Sequence, residues 1–526
     1  MNINKFIIIF LCIGCSLFSC QKKHQAKQQP KPNVVFIAVD DLNNWVGKMK
    51  RHPQVKTPNL DRLIDQGILF NNAHTASPVC QASRIALLSG LKPTTTGWYC
   101  NVWDKDLKEV TYDSIHQMNQ FLPEYFKANG YATYGAGKLF HSGVMEFEKD
   151  ADQLWTDHTP AYKITDQEML KSGNHYGGDM FYPFPKDGGQ LYQKFGKVKG
   201  LSLCGGPVER KDMKDGVMHD EWVADWAIEK LHKNHDEPFF LGVGFARPHV
   251  PYTAPQEYFD LYAEDDFYIP SVAEGEMKDI PLYGKAVSMG LTPGGDHAKV
   301  MGVGEDFPKE LVRSYLACIS FVDAQIGKVL EALEKSPYAD NTIVVVWSDH
   351  GQHLGEKHSW RKMTLWEPST NVPLIFKLPN SSAKGKVTND AVSLLDVYPT
   401  LLDLCQLPQN ERLEGESLMP ILNHPEQSQN RNVLTTWMYN NHSVRSKDWR
   451  YIKYRDGGEE LYYIQVDPLE KKNLIADEKY SSIKETLKKD LPQKMANPFL
   501  MEDIYEDELD NYVAEWEKEG IPEWLN

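Results

Sequence analysis

Four stretches far apart in the chain end an apolar run in ionisable side chains. Asp40 and Asp41 follow NVVFIAV, Lys138 and His141 lie in GKLFH, Arg247 and His249 in ARPHVPY, and Asp349 and His350 follow TIVVVWS. Asp40, Asp41, Asp349 and His350 together offer three carboxylates and an imidazole, a donor set that suits calcium or another hard divalent ion better than a softer metal. Lys138, His141, His249 and Lys362 add positive charge. A cation ringed by such groups suits a tetrahedral oxyanion, phosphate or sulfate, and would stabilise charge on its non-bridging oxygens. The chemistry that follows is metal-assisted hydrolysis of a phosphate or sulfate ester. Cys80 stands four residues before Arg84 at the edge of another apolar run in SPVCQASRIALLSG. By itself this thiol could be core filling, a nucleophile, a metal ligand or the substrate of a modification.

The runs before these residues read as buried strands. NVVFIAV and TIVVVWS are continuous and β-branched, as strands covered on both faces are. At the carboxyl ends of parallel strands side chains converge on one crevice, where α/β proteins bind ligands. TPNLDRLIDQGILF predicts a helix stopped at Gly67, and SIHQMNQFLPEYFKANG a helix stopped at Gly130. Further helices are expected in GVMHDEWVADWAIEKLHKN and ELVRSYLACISFVDAQIGKVLEALEKS. The catalytic α/β domain is placed at 33–404, with a loop-rich insertion at 151–215. Beyond it, 405–526 reads as a smaller α+β unit. Short alternating runs around RDGG and VDPLE predict an antiparallel sheet there, and FLMEDIYEDELDNYVAEWEKEG an acidic helix.

The formal net charge of -16 argues against a nucleic-acid partner, which would call for concentrated positive charge. It leaves room for an acidic substrate in a cleft whose own groups are basic. Residues 1–20, MNINKFIIIFLCIGCSLFSC, are too short and badly flanked for a membrane span and read as a leader. LFSC resembles a bacterial lipoprotein processing site, with Cys20 the lipidated residue. Residues 21–32 read as a polar tether, so the expected location is exported, periplasmic or at the cell surface, with membrane contact only through the lipid. Cysteines 80, 100, 204, 318 and 405 remain, an odd number without close pairs. They predict neither a zinc site nor a disulfide framework, and at most one or two bridges.

Cys80-Gln81-Ala82-Ser83-Arg84, with Leu88-Ser89-Gly90 downstream, resembles the signature of the type I sulfatases. The Asp-Asp strand end, GKLFH, RPHVPY and SDHGQHLGEK follow in that family's order. Asp349-His350, where many members have Asp-Asn, resembles the iduronate-2-sulfatase-like branch. The likeness covers 33–400, and LYYIQVDPLEKKNL resembles the family's C-terminal segment. It implies an alkaline-phosphatase-like sulfatase fold, a large mostly parallel sheet flanked by helices with a smaller antiparallel sheet and helix behind it. It also implies that a maturase oxidises Cys80 to formylglycine, whose hydrated aldehyde attacks sulfur and later expels sulfate as the aldehyde re-forms. One calcium would be held by Asp40, Asp41, Asp349, His350 and an oxygen of modified Cys80. Arg84 would support the hydrate, Lys138 and Lys362 the sulfate, and His141 the breakdown of the sulfated intermediate. His249 would protonate the departing sugar oxygen, which is otherwise a poor leaving group. Lys357 and Arg361 compete with Lys362 for its role, and spacing from Asp349 favours Lys362.

The resemblance further points to a sugar sulfate ester, on a sulfated poly- or oligosaccharide attacked at its end, without fixing which sugar; loops in 151–215, 265–305 and part of the C-terminal unit are expected to choose it. A phosphatase or phosphonate hydrolase on the same fold would more often carry Thr or Ser where Cys80 stands. A catalytically inactive carbohydrate-binding relative would not need the charged set. A plain thiol hydrolase would use His74 as base, leaving the carboxylates unexplained. Trp45 is a candidate sugar platform or a core residue, and His353 and His358 candidates to face the cleft. Trp155, His158, His442, Arg445, Trp449 and Arg450 read as structural.

Overall fold

The computed structural model describes residues 31–160, 190–196, 201, 203–262, 267–290, 294–498 and 504–525. The leader with Cys20, and the tether as far as residue 30, lie outside them, as does most of 161–200. Strand β1 (Asn33–Val39) is buried along its whole length. Successive side chains of a strand point to opposite faces. Val35, Ile37 and Val39 accordingly enter one core, and Val34, Phe36 and Ala38 the other. Eight strands lie side by side in the main sheet. In chain order these are β1, β2 (Ile68–His74), β3 (Ala132–Gly137), β4 (Asp157–His158), β5 (Phe239–Phe245), β6 (Thr342–Ser348), β7 (Asn371–Lys377) and β8 (Lys386–Thr388). Their spatial order is β8-β2-β7-β6-β1-β5-β3-β4, and the pair Val392–Ser393 adds a ninth strand beside β2. Strands β6, β1, β5 and β3 are mutually parallel neighbours, whereas β7 runs antiparallel to β6 and β2.

Helices cover both faces. Helix α1 (Pro58–Gln66) brings Leu60, Leu63 and Ile64 to the first core, α2 (Cys80–Ser89) and α3 (Lys105–Met118) join the second, and α4 (Leu122–Ala128) adds Phe126 there. Helices α5 (His219–His232) and α6 (Asp306–Lys335) complete the first core. The stretch expected as one helix up to Gly130 is two: α3 stops at Met118, and α4 starts afresh with Pro123 in its first turn, a position where proline's missing N–H costs nothing. Strands β2 and β7 were not foreseen at all. The described cysteines are all free and buried, so none of the one or two conceivable bridges forms among them.

Behind the main sheet, Val433–Thr436, His442–Arg445, Trp449–Lys453 and Glu459–Tyr463 form a four-stranded antiparallel sheet in sequence order. Helix α7 (Ile504–Glu519) packs Leu509 and Trp516 into a third core with Tyr283, Trp366 and Tyr462. Glu367 ties the two sheets, accepting from Arg445 Nε at 3.3 Å and from Arg450 Nη2. Trp366 Nε1 donates to Glu460 at 2.8 Å across the same seam.

Candidate active site

Because β6, β1, β5 and β3 are parallel neighbours, their carboxyl ends deliver Asp349–His350, Asp40–Asp41, Arg247–His249 and Lys138 to one rim. The sheet must close up to do this. Gly244 of β5 has no room for a side chain, since a Cβ there would lie 2.1 Å from the Lys138 carbonyl. Lys138 N donates to Gly244 O at 2.8 Å across that close approach. Cys80 opens α2 and points into the rim from the second core's side, fully buried.

The contacts around Cys80 are short. His350 Nε2 is 3.2 Å from its Sγ and Lys362 Nζ 3.0 Å. The thiol faces Asp41 Oδ1 at 3.8 Å, and His141 lies near enough to help hold it low. Lys362 Nζ donates to Asp41 Oδ1 at 2.7 Å, and Lys138 Nζ donates to Asp40. Arg84, buried with the rest, spreads its guanidinium over the floor: Nε to Asp349 at 2.8 Å, Nη2 to Asp40 at 3.1 Å, and Nη1 to the Leu139 carbonyl at 3.1 Å. It therefore fixes the two carboxylates relative to one another. Asp41 sits in left-handed backbone, at φ 62°. Its N–H donates to Asp349 Oδ1 at 3.1 Å, and its carbonyl accepts from Tyr315 OH at 2.6 Å. Such a conformation costs of order 1 kcal/mol and persists where neighbours impose it. His249 lies between two cis prolyl bonds, Arg247–Pro248 and Val250–Pro251. Its Nδ1 pairs with Val250 O at 2.6 Å, which leaves Nε2 4.0 Å from Asp41 Oδ2.

Electrostatics follow from this packing. Burial pushes the Cys80 thiol up, but Lys362, Lys138 and His350 outweigh it and hold the group well below the ordinary thiol range. Burial works against a charged His350 as well, yet Asp349 and Cys80 push it up to about 9. The two carboxylates that share Arg84 part company. Asp349 is pushed up to about 6 by burial, whereas Asp40, also buried, is held far below the usual range chiefly by Lys138.

Ligand atoms of Asp40, Cys80, Asp349 and His350 lie within 4.8 Å of one another, and Asp41, Cys80 and His249 make a second such group through the same cysteine. The carboxylates and the imidazole fit a hard divalent ion; the sulfur does not.

The other residues singled out from the sequence lie elsewhere. Lys357 pairs with Glu276 at 3.3 Å and Arg361 with Asp296. Trp45 is a core residue, 3% exposed and packed between His52 and Tyr315. His353 bonds Thr364 Oγ1 at 2.7 Å, and His358 packs on His297 and Trp524. His74 bonds Asn72 Oδ1 at 2.7 Å. Trp155 lies under Gly135, and His158 Nδ1 bonds Thr159 O. His442 bonds Thr436, Arg445 and Arg450 pair with Glu367, and Trp449 stacks on Tyr463. Sequence reading missed Tyr315, whose hydroxyl also accepts from Asn43 N at 3.0 Å, because it sits in the apolar periodicity of α6. Ser83 was read only as part of the signature, without a role; its hydroxyl donates to Asp349 O at 2.6 Å.

Residues 32–407 match the sulfatase family model, and residues 355–497 match one described as N-sulphoglucosamine sulphohydrolase, C-terminal. A sulfatase of Formosa agariphila is 39% identical over 501 residues, covering 93% of this chain and 92% of the relative. Iduronate 2-sulfatase of Mus musculus is 27% identical over 551 residues, covering 87% and 93%. Among solved structures, a 2-O GAG sulfatase superposes with a TM-score of 0.63 at 21% identity, covering 94% of this chain and 96% of that one.

Proposed function

The chain belongs to the sulfatase family, and from that premise we propose that it removes sulfate from carbohydrate esters, acting on a terminal sugar, with Cys80 converted to formylglycine beside one calcium ion. The observation that carries the reading is the buried convergence of Asp40, Asp349 and His350 on Cys80. Three carboxylates and an imidazole around a sulfur are mismatched for a hard cation. Replacing that sulfur by oxygen removes the mismatch, and Asp40, Asp41, Asp349, His350 and the new oxygen would then hold the ion. The hydrated aldehyde supplies an oxygen nucleophile that can later shed sulfate, and the ion supplies positive charge beside the sulfate oxygens.

The chain's own groups do the rest. Lys362 and Lys138 neutralise sulfate oxygens, Lys362 from beside residue 80, 3.0 Å from its Sγ, and Lys138 from the end of β3. Arg84 keeps Asp40 and Asp349 at fixed separation and adds charge under the hydrate. His141, one of the groups gathered around residue 80, takes the proton of its side chain. His249 is held by Val250 O through Nδ1, so Nε2 gives the proton to the departing sugar oxygen. A phosphate- or phosphonate-directed enzyme would use the same floor; Cys80 within CQASR favours sulfate. A binding protein without catalysis would have no use for a convertible cysteine in a cationic cage.

Maturation by a formylglycine-generating enzyme and export with lipid attachment at Cys20 complete the reading, the latter resting on the LFSC motif. No helix among the described residues is long and apolar enough to cross a membrane. The experiment is a panel of defined sulfated oligosaccharides and one phosphate monoester, assayed with and without chelator. Chelator-sensitive sulfate release from a sugar supports the reading, and hydrolysis of the phosphate ester alone rejects it.

A further inference from the structure

Trp103 takes no part in the chemistry above, yet its position is built with care. It is 58% exposed, and no other tryptophan among the described residues is as open. Its ring meets that of His141 edge-on, centroids 5.9 Å apart, and His141 is among the groups that hold the Cys80 thiol low. The pedestal under it is rigid. Gln81 N, a first-turn donor of α2 with no partner inside its own helix, is capped by Asn101 Oδ1 at 3.0 Å. The Gln81 side chain accepts from Val102 N at 2.5 Å and donates to Glu146 at 3.2 Å. Glu146 accepts from Ser142 Oγ at 2.9 Å, which anchors the segment carrying His141. Asn101 and Val102 are buried, and Asp104 caps α3 by accepting from Leu107 N at 2.8 Å. The residue next to the cysteine thus braces both the tryptophan and the histidine it touches.

Single exposed hydrophobic residues are ordinary on surfaces. An indole fixed on a braced backbone, edge-on to a histidine of the site and open to solvent, offers its apolar face to whatever ring enters beside that histidine. We propose that Trp103 is a stacking platform for the sugar ring that carries the sulfate ester, taking its C–H face while the ester reaches past His141 to residue 80. The proposal rests on the carbohydrate sulfatase reading and adds a residue that selects ring substrates.

The test compares matured wild type with Trp103→Ala and Trp103→Phe on a sulfated disaccharide and on an acyclic alkyl sulfate. For Trp103→Ala, KM for the disaccharide should rise about tenfold or more relative to its change for the alkyl sulfate, with kcat altered little, and Trp103→Phe should restore most of the loss. Calorimetry in a Cys80→Ser background gives a second readout. Disaccharide binding should weaken about tenfold on adding Trp103→Ala, and inorganic sulfate binding should not follow it. If wild type turns over the disaccharide and Trp103→Ala treats both substrates as wild type does, the platform is refuted and the sulfatase reading stands. If wild type hydrolyses only the alkyl ester, the carbohydrate reading falls and takes the platform with it.

Discussion

Lys362 Nζ lies 3.0 Å from Cys80 Sγ and 2.7 Å from Asp41 Oδ1, although 282 residues separate it from the cysteine. Two cations beside it in sequence are committed elsewhere, Lys357 to Glu276 and Arg361 to Asp296. Lys362→Ala is therefore expected to lower kcat/KM by about 10²–10³, the usual effect of removing one group that stabilises charge in a transition state. Lys357→Ala should lose stability while keeping activity per folded molecule. Steady-state kinetics on both variants, normalised to folded enzyme, checks the difference.

Arg84 is expected to be a stability residue as well as an active-site one. Removing it leaves Asp40 and Asp349 buried without their shared guanidinium, a loss of about 3–5 kcal/mol for a broken buried pair. The denaturant midpoint of chelator-treated Arg84→Ala should fall accordingly. Calcium should recover part of that loss, since a cation among the carboxylates replaces some of the missing charge.

Gly244→Ala tests whether close strand approach sets the site. Its Cβ would meet Lys138 backbone, which cannot swing aside, so overpacking should cost about 1–3 kcal/mol and displace Lys138. Gly302→Ala, on a helix with nothing within 4 Å of the added carbon, should be neutral or stabilising. Thermal melts with parallel sulfate-release rates distinguish the two.

The break between α3 and α4 is bridged by His116 Nε2 and Glu124 Oε2 at 2.7 Å. The hydrogen bond to Glu124 raises the imidazole's pKa despite burial, and Glu124 is lowered because hydrogen bonds from His116 and Gln120 outweigh its own burial. The histidine's contribution is fully present below its unfolded pKa and lost as pH rises through the folded one. That of Glu124 is lost as pH falls through its lowered value. The pair is half-buried and screened, so His116→Ala should cost at most about 1 kcal/mol near pH 5.5. That gap should narrow as pH rises through the histidine's raised folded pKa, as read by urea denaturation across the range.

What the sequence revealed follows physical lines. Strands β1 and β6 were legible because a strand covered on both faces needs an unbroken apolar run, and the polar residues just after it mark where the sheet opens. Strand β2 was hidden because Ile68–Phe70 directly follows a helix and then runs into Asn71 and Asn72, polar residues that only partner contacts make tolerable. Strand β7 carries Pro373, which argues against a central strand when read alone. The helix break before Pro123 had a local signal, proline in a first turn, that the longer apolar period obscured. In the site, Asp40, Cys80 and Asp349 could be grouped from strand ends and motif. Spacing from Asp349 already favoured Lys362 over Lys357 and Arg361; hidden from the sequence were Glu276 and Asp296, acids from distant segments that capture the other two. Trp45 and Trp103 show the same limit, since burial against Tyr315 or exposure beside His141 is decided by tertiary packing alone.

The central claim is that a converted Cys80 in a calcium-dependent site releases sulfate from a sugar. Ion chromatography of free sulfate tests it most directly, with matured enzyme, a panel of sulfated oligosaccharides and Cys80→Ala as the paired sample. The account predicts sulfate equal in amount to desulfated sugar from the wild type, abolished by chelator and restored by calcium, and none from Cys80→Ala. Sulfate release at the wild-type rate by Cys80→Ala, or by enzyme whose Cys80 peptide retains its thiol by mass, would contradict it.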